Sequence, residues 1–436
     1  MDVAKQKIGI FRIRSTGMKI LGGALLFLLI SQESVISMLA PVRELAQTIH
    51  IYSPDIQEEL AHELALKEAE LSSRAQMLPQ IRASFQEYFV QSSTDSGFLS
   101  NARVEVPLFQ KAKPYYAWKI SKIERRSYKT TRIKNQIERI FRFRTANYEA
   151  QSCHKKLPKL LVERDLLSKL MERQSGMVID KVKSLDQMDD VYRRWVLLDQ
   201  TIQNTKAKLA VLEEEIAYLA NSGSQISLAS GIPDPSRPLS ENEFETQKEE
   251  ALIHHPDIAT LQMEIEKQSA KLGLVKADRL PEISAVSIYG RDPRFVGNED
   301  QIFGGIEVRW DIWDFGANRH EIRKENSLLR EMQVKLENQK QEIALKIDEA
   351  FRFYQAAYSI WRNAQSYLEF QNERLKSSGR QYHQGQISWN EFTLSQIHYL
   401  DQTVAFEEAK ADALTKAAQL DFVFGLNDFS QKELDI

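Results

Sequence analysis

From Ile302 to Ile312 the chain alternates strictly. Ile302, Gly304, Ile306, Val308, Trp310 and Ile312 fall on one face, and Phe303, Gly305, Glu307, Arg309 and Asp311 on the other. A period of two with one apolar and one mostly polar side predicts a strand. Ala102, Val104, Val106 and Leu108 alternate in the same way with Arg103, Glu105 and Pro107. Less regular strands precede each, over 80–91, where Ile81, Ala83, Phe85 and Phe89 share a face, and over 282–291. Loops rich in Ser, Asp, Gly and Asn (92–98 and 292–301) join each pair as a hairpin. The predicted strands are therefore 80–91, 99–109, 282–291 and 302–313.

After each hairpin the period changes to helical. The pattern predicts long helices over 110–174, 178–220, 317–383 and 388–424. A 60-residue helix is about 90 Å long, so such helices need partners along their length, as in coiled coils. Pro158 is expected to kink or break the first of them, at or just after Ser152 to Leu157.

The chain also matches itself at an offset of 202 positions. Ser53-Pro54-Asp55-Ile56 through Met77-Leu78-Pro79-Gln80-Ile81 recurs as His255-Pro256-Asp257-Ile258 through Arg279-Leu280-Pro281-Glu282-Ile283. Each copy reads as a helix framed by prolines. Pro54 and Pro256 suit a first helical turn, where the missing N–H costs nothing. Asp55 and Asp257 sit at the positive end of the helix dipole. Pro79 and Pro281 end the helix and push the preceding leucine toward extended backbone.

The N-terminus carries Lys5, Lys7, Arg12, Arg14 and Lys19 ahead of a short apolar run, Ile20 to Ile30. That is a signal-peptide pattern, and the run falls short of the roughly 20 residues of a membrane-spanning helix. Cleavage near Val35-Ile36-Ser37 or Met38-Leu39-Ala40 remains open, as does a start at Met18 that makes 1–17 an over-long beginning. The expected divisions are a signal peptide (1–40), a first repeat (41–221), an inter-repeat linker (222–250), a second repeat (251–427) and a tail (428–436).

Composition agrees with long helices. Of 436 residues only 12 are Pro and 17 Gly, and 27% are charged. A net charge of −3 argues against a nucleic-acid binder. Cys153 is the one cysteine, so no internal disulfide forms. There is no phosphate loop, dinucleotide fingerprint or His-Glu-x-x-His pattern, and no catalytic residue or cofactor is assigned. His254 and His255 are read as a helix start. The stretch 119–144, with ten Lys and Arg against Glu124 and Glu138, is read as a solvated helix exterior over Ile120, Ile123, Ile137 and Ile140, or else as a basic lining that favours anionic cargo.

The order of these motifs, duplicated, resembles the TolC outer-membrane efflux family over roughly residues 42–427. The resemblance rests on the Pro-Asp helix start, the Leu-Pro stop, the hairpin, and the phrases Val106-Pro107-Leu108-Phe109 and Trp310-Asp311-Ile312-Trp313-Asp314-Phe315-Gly316 that open a long helix. It rests also on Arg380-Gln381-Tyr382-His383-Gln384-Gly385 with Glu391 beyond, echoed weakly by Arg173-Gln174-Ser175-Gly176.

The resemblance implies a mainly α protein with a small β part. Three chains would share a twelve-stranded outer-membrane β-barrel, four strands each, above an α-barrel of coiled-coil helices. It implies a Gram-negative export duct, in efflux or type I secretion, that docks with a periplasmic adaptor and an inner-membrane pump of the ABC or RND class. It also implies contact with outer-membrane lipid and none with nucleic acid. Phe109, Trp310, Trp313 and Phe315 would form an interfacial aromatic girdle. Arg380, Tyr382, Gly385 and Gly176 would mark helix turns at the periplasmic tip. Glu391, with Asp186 as the nearest acid in the first half, would form an anionic constriction there; Leu394 and Val182 stand where further acids are expected. The competing reading is a soluble periplasmic coiled-coil structural or adaptor protein with its hairpins in water.

Overall fold

The computed structural model describes residues 54–78, 80–91, 96–179, 185–220, 233–291 and 301–425. The expected signal peptide, the tail, Pro79, Val182 and residues 222–232 of the expected 222–250 linker lie outside them.

In chain order the elements are α1 (Pro54–Ala75), β1 (Arg82–Gln91), β2 (Ser96–Gln110), α2 (Lys113–Ile179), α3 (Leu185–Leu219), α4 (Glu241–His254), α5 (Pro256–Ala277), β3 (Glu282–Arg291), β4 (Gln301–Arg309), α6 (Ala317–His383) and α7 (Trp389–Phe424). The fold is mostly helical. The duplication persists in three dimensions. α1 and α5 have 22 residues each and α2 and α6 have 67 each. α6 starts 204 positions after α2 (113 to 317), and α7 starts 204 after α3 (185 to 389). The hairpin thus adds two residues to the offset of 202.

The strands form one antiparallel sheet in the order β1-β2-β3-β4. Pro107, which has no N–H, lies at a bulge in the β2–β3 ladder where the register shifts between Pro107 and Phe109. β4 stops at Arg309, short of the predicted 313. Its last partner is Glu282, and the next residue along β3, Pro281, offers no donor to continue the ladder. Trp310 turns away instead, its indole donating to the Arg279 carbonyl at 3.0 Å.

Each 67-residue helix begins from two residues in the left-handed region: Lys111 (φ 50) and Ala112 (φ 56) before α2, Phe315 (φ 53) and Gly316 (φ 88) before α6. In the second repeat Asp314 offsets this strain. Its carboxylate accepts from the N–H groups of Gly316 and Asn318, at 2.9 and 2.7 Å, so it caps α6.

Two junctions make short and long helices nearly continuous. The end of α7 abuts the start of α5, and a Cβ at Gly425 (φ 65) would lie 2.9 Å from the Pro256 ring. His255 splices this joint. Its Nδ1 accepts from the Asp257 N–H at 3.2 Å, and its ring also bonds the Val423 carbonyl. In the first repeat the Tyr218 hydroxyl at the end of α3 donates to Asp55 in the first turn of α1. In both joints a negative helix end meets a positive one.

The expected break at Pro158 does not occur; α2 runs through it as one helix. The neighbouring turns are clamped by other helices. Leu160 and Leu167 pack with Leu198 and Ile202 of α3 and Ile397 of α7. Lys156 pairs with Glu408 and Lys159 with Glu407, while the Ser152 hydroxyl donates to the Glu407 carbonyl. Pro158 itself is exposed, so the carbonyl that lost its donor is close to water. A second core gathers Phe244 of α4, Ile258 of α5, Ile343, Ile347 and Phe351 of α6, and Leu420 and Phe424 of α7. Phe244 and Phe351 stack at 3.9 Å.

Candidate functional site

The sheet has two unlike faces, and the register fixes them. Across the strands Phe85 lies opposite Ala102, Ala102 opposite Tyr289, and Tyr289 opposite Ile302. Two rows on, on the same face, Val106, Ala285 and Ile306 line up. Phe85, Val104, Tyr289, Ile302, Ile306 and Val308 are all exposed on this face. The reverse face is ionic: Arg103 of β2 bridges Glu105 and Glu307, and Arg309 pairs with Glu307. Both signs are present there in balance. Among the described residues, the outer edges of β1 and β4 have no partner strand.

The expected girdle residues lie at one end of this sheet. Phe109, Trp310, Trp313 and Phe315 are exposed, and Trp313 and Phe315 meet edge to face at 6.1 Å. No described helix is long and apolar enough to cross a membrane.

The basic stretch of α2 is neither a solvated exterior nor a bare basic lining. Carboxylates from four other helices meet its cations. Arg125, Arg132 and Arg139 pair with Glu70, Glu63 and Glu59 of α1, and Lys129 also reaches Glu63. Arg126 and Lys134 pair with Glu266 and Asp257 of α5, Arg142 with Glu215 of α3, and Arg144 with Asp421 of α7. Sequence reasoning missed this because the acids lie 55 or more positions away. Ile123 and Ile137 are buried beneath, as expected.

Farther along α2 lies a second ionic cluster that the sequence did not single out. Arg194 of α3 donates to Glu163 of α2 at 3.1 Å and to Asp401 of α7 at 2.5 Å. Glu163 is 2% exposed. Burial, then repulsion from Asp401, pushes its carboxyl up to about 7 against the pull of Arg194. Close by, Arg164 pairs with Asp199 and Lys159 and Lys155 with Glu407. Cys153 is buried, and desolvation raises its thiol above the usual range, which keeps it unreactive.

The α6–α7 turn carries most of the expected tip residues. Gly385 takes φ 72, and the N–H groups of Gln384, Gly385 and Gln386 return to the carbonyls of Arg380, Tyr382 and Gln381, closing α6. Tyr382 stacks on Phe392 at 5.1 Å, joining the arms of the turn. Arg173 of α2 lies over the Trp389 ring at 4.8 Å. Glu391 is the third residue of α7 and closes a capping box. Its Oε2 accepts from the Ser388 N–H and hydroxyl at 2.7 and 2.9 Å, which holds its carboxyl below the usual range.

The first half differs from its expected echo. Gly176 marks no turn, because α2 continues helical to Ile179. The offset of 204 places it opposite Arg380, not Gly385. The same offset puts Gln187, third in α3, opposite Glu391, where motif reading put Val182. Asp186 is in the first turn of α3, and its carboxylate lies outside the described side chains.

The architecture is a four-stranded sheet with one exposed apolar face, set on paired long helices. Residues 248–426 match the model of the family described as outer membrane efflux protein. No curated protein sequence matches the chain significantly. Among solved structures it is similar to CusC, whose structures concern transmembrane channel formation (13% identity, TM-score 0.71, covering 88% of this chain and 92% of that one). It is similar also to the Campylobacter jejuni CmeC outer membrane channel (11% identity, TM-score 0.71, 88% and 86%). The open-state Neisseria gonorrhoeae MtrE outer membrane channel matches at 15% identity and TM-score 0.66, with 88% of each chain covered. The TolC-like resemblance is thus carried by a family match over the second repeat and by a fold shared with solved outer-membrane channels.

Proposed function

We propose that three copies of this chain form a passive exit duct, driven by an inner-membrane pump through a periplasmic adaptor. The observation that carries this reading is the sheet. Its apolar face is exposed, its other face is ionic, and both edges are open. In lipid an open edge leaves backbone groups unsatisfied, so the sheet must close with other copies. Two copies would give eight strands, a barrel about filled by its own side chains. Three give twelve, with room for a lumen. The balanced charges on the polar face favour no single sign of cargo.

At the far end, the Glu391 carboxylates of three chains would ring the axis and bind cations. The capping box supports this by fixing the side chain at the start of α7. Asp186 is the first-half candidate for the same ring. The soluble coiled-coil alternative leaves the apolar sheet face in water.

The test is reconstitution in planar bilayers from detergent. A heat-modifiable trimer with steady single-channel conductance is expected. Glu391→Gln, which keeps a capping side chain, should lower cation selectivity and leave the trimer intact. A chain that stays monomeric and soluble without detergent after signal removal would overturn the duct.

A further inference from the structure

Several large apolar or aromatic side chains on the helices keep about half or more of their surface exposed. Leu345 of α6 is 67% exposed and Tyr367 of α6 47%; on α3, Leu197 is 57% and Tyr218 59% exposed. The internal repeat says what covers them. Within the chain the first repeat meets the second along a seam between α2–α3 and α7. Phe141 stacks on Phe422 at 4.8 Å, and farther along Arg194 joins Glu163 to Asp401.

In a closed ring of copies, the second repeat of one must meet the first repeat of the next along an equivalent seam. Equivalent positions lie 204 apart. Moving forward from α2 to α6 turns Phe141 into Leu345 and Glu163 into Tyr367. Moving back from α7 to α3 turns Phe422 into Tyr218 and Asp401 into Leu197. All four residues reached this way are large, apolar or aromatic, and exposed. That is the pattern expected of a face whose partner is a second copy.

We propose that neighbouring copies join α6 to α3, with Leu345 against Tyr218 of the partner subunit and Tyr367 against Leu197 of the partner subunit. This rests on the trimer reading and adds to it a register and a chemistry. The seam within a chain is partly ionic, whereas the seam between chains is apolar at both equivalent points.

Paired cysteines in a Cys153→Ala background test the register. The detergent-solubilised protein is treated with a short bis-maleimide. Leu345→Cys with Tyr218→Cys, and Tyr367→Cys with Leu197→Cys, should each give covalent dimer and trimer, and the single variants neither. Phe141→Cys with Phe422→Cys, the same geometry inside one chain, should react without gain in mass. An amine-reactive crosslinker is run in parallel. If it captures trimer while both test pairs fail, the register is overturned and the trimer stands. If it too captures only monomer, the trimer reading fails with it.

Discussion

The two repeats build the same helix pair with opposite chemistry. In the first, α1 packs on α2 through Glu59–Arg139, Glu63–Arg132 and Glu70–Arg125. In the second, the equivalent positions on α5 and α6 are Leu261 and Ile343, Ile265 and Leu336, and Leu272 and Leu329. The arginines fall every seven residues, so they occupy one coiled-coil seam. The second repeat keeps a polar contact of its own elsewhere, from Gln268 to Glu325. One backbone thus accepts a seam of ions or a seam of leucine and isoleucine. The difference matters for pairing. α2 touches both α1 and α5, and an acidic row on α1 matches the basic row of α2 but has no match on the apolar row of α6. The charges assign each short helix to its own site against the long helices.

The largest expected effect comes from breaking the most buried ion pair. Arg139 grips both oxygens of Glu59, at 3.1 and 2.9 Å, and Asn135 adds a bond at 3.0 Å. Glu59→Leu alone strands a buried guanidinium and should destabilise by about 3–5 kcal/mol. Glu59→Leu with Arg139→Ile copies the second repeat and should be neutral, or stabilising by about 1–4 kcal/mol. Thermal unfolding followed by circular dichroism in detergent separates the two. Equal losses in both variants would mean that the seam tolerates no exchange of chemistry.

A somewhat smaller effect contrasts Glu163 with its counterpart Tyr367. The folded protein holds this carboxyl near 7, above the ordinary 4.5. The native state therefore binds an extra proton between those values. The stability this contributes is complete below about pH 4.5 and lost as pH rises through about 7. The melting temperature should fall over that interval by the equivalent of on the order of 2 kcal/mol. Glu163→Gln should remove most of the slope, because a neutral amide can still accept from Arg194. A slope unchanged by the substitution would place the titration elsewhere.

Much of the fold was legible because it rests on local signals. Pro-Asp starts, Leu-Pro stops and period-two strands depend on residues a few positions apart, and Asp314 caps α6 from two residues away. What was not legible depends on distant partners. The seven-residue rhythm of Arg125, Arg132 and Arg139 was visible, but their acids are 55 to 80 positions away. Pro158 is continuous only because α3 and α7 clamp its neighbours. At the tip, motif spacing misplaced the first-half turn by five positions, since Gly176 resembles Gly385 in type and stands opposite Arg380 in place.

The smallest expected effect sharpens the comparison without a mutation. The Glu63–Arg132 and Glu70–Arg125 pairs keep part of their surface in water, with side chains 18–30% exposed, so added salt reaches them. Pairs of this kind contribute about 0–1 kcal/mol each and weaken as the screening length falls from about 10 Å at 0.1 M to 3 Å at 1 M. The α5–α6 seam has no charge at the equivalent positions, and apolar burial is not screened. Hydrogen exchange read helix by helix at low and high sodium chloride should therefore show amides of α1 losing more protection than those of α5, whose ion pairs to α2 through Glu266 and Asp257 are more exposed and already weak. Chloride is the right anion, because sulfate would strengthen apolar burial and blur the contrast. If α1 and α5 respond alike, the ionic seam adds nothing that distinguishes the repeats, and its role in assigning helices to sites fails. If α1 responds more than α5, a chain of two like halves holds one of them more by a contact that solvent can tune.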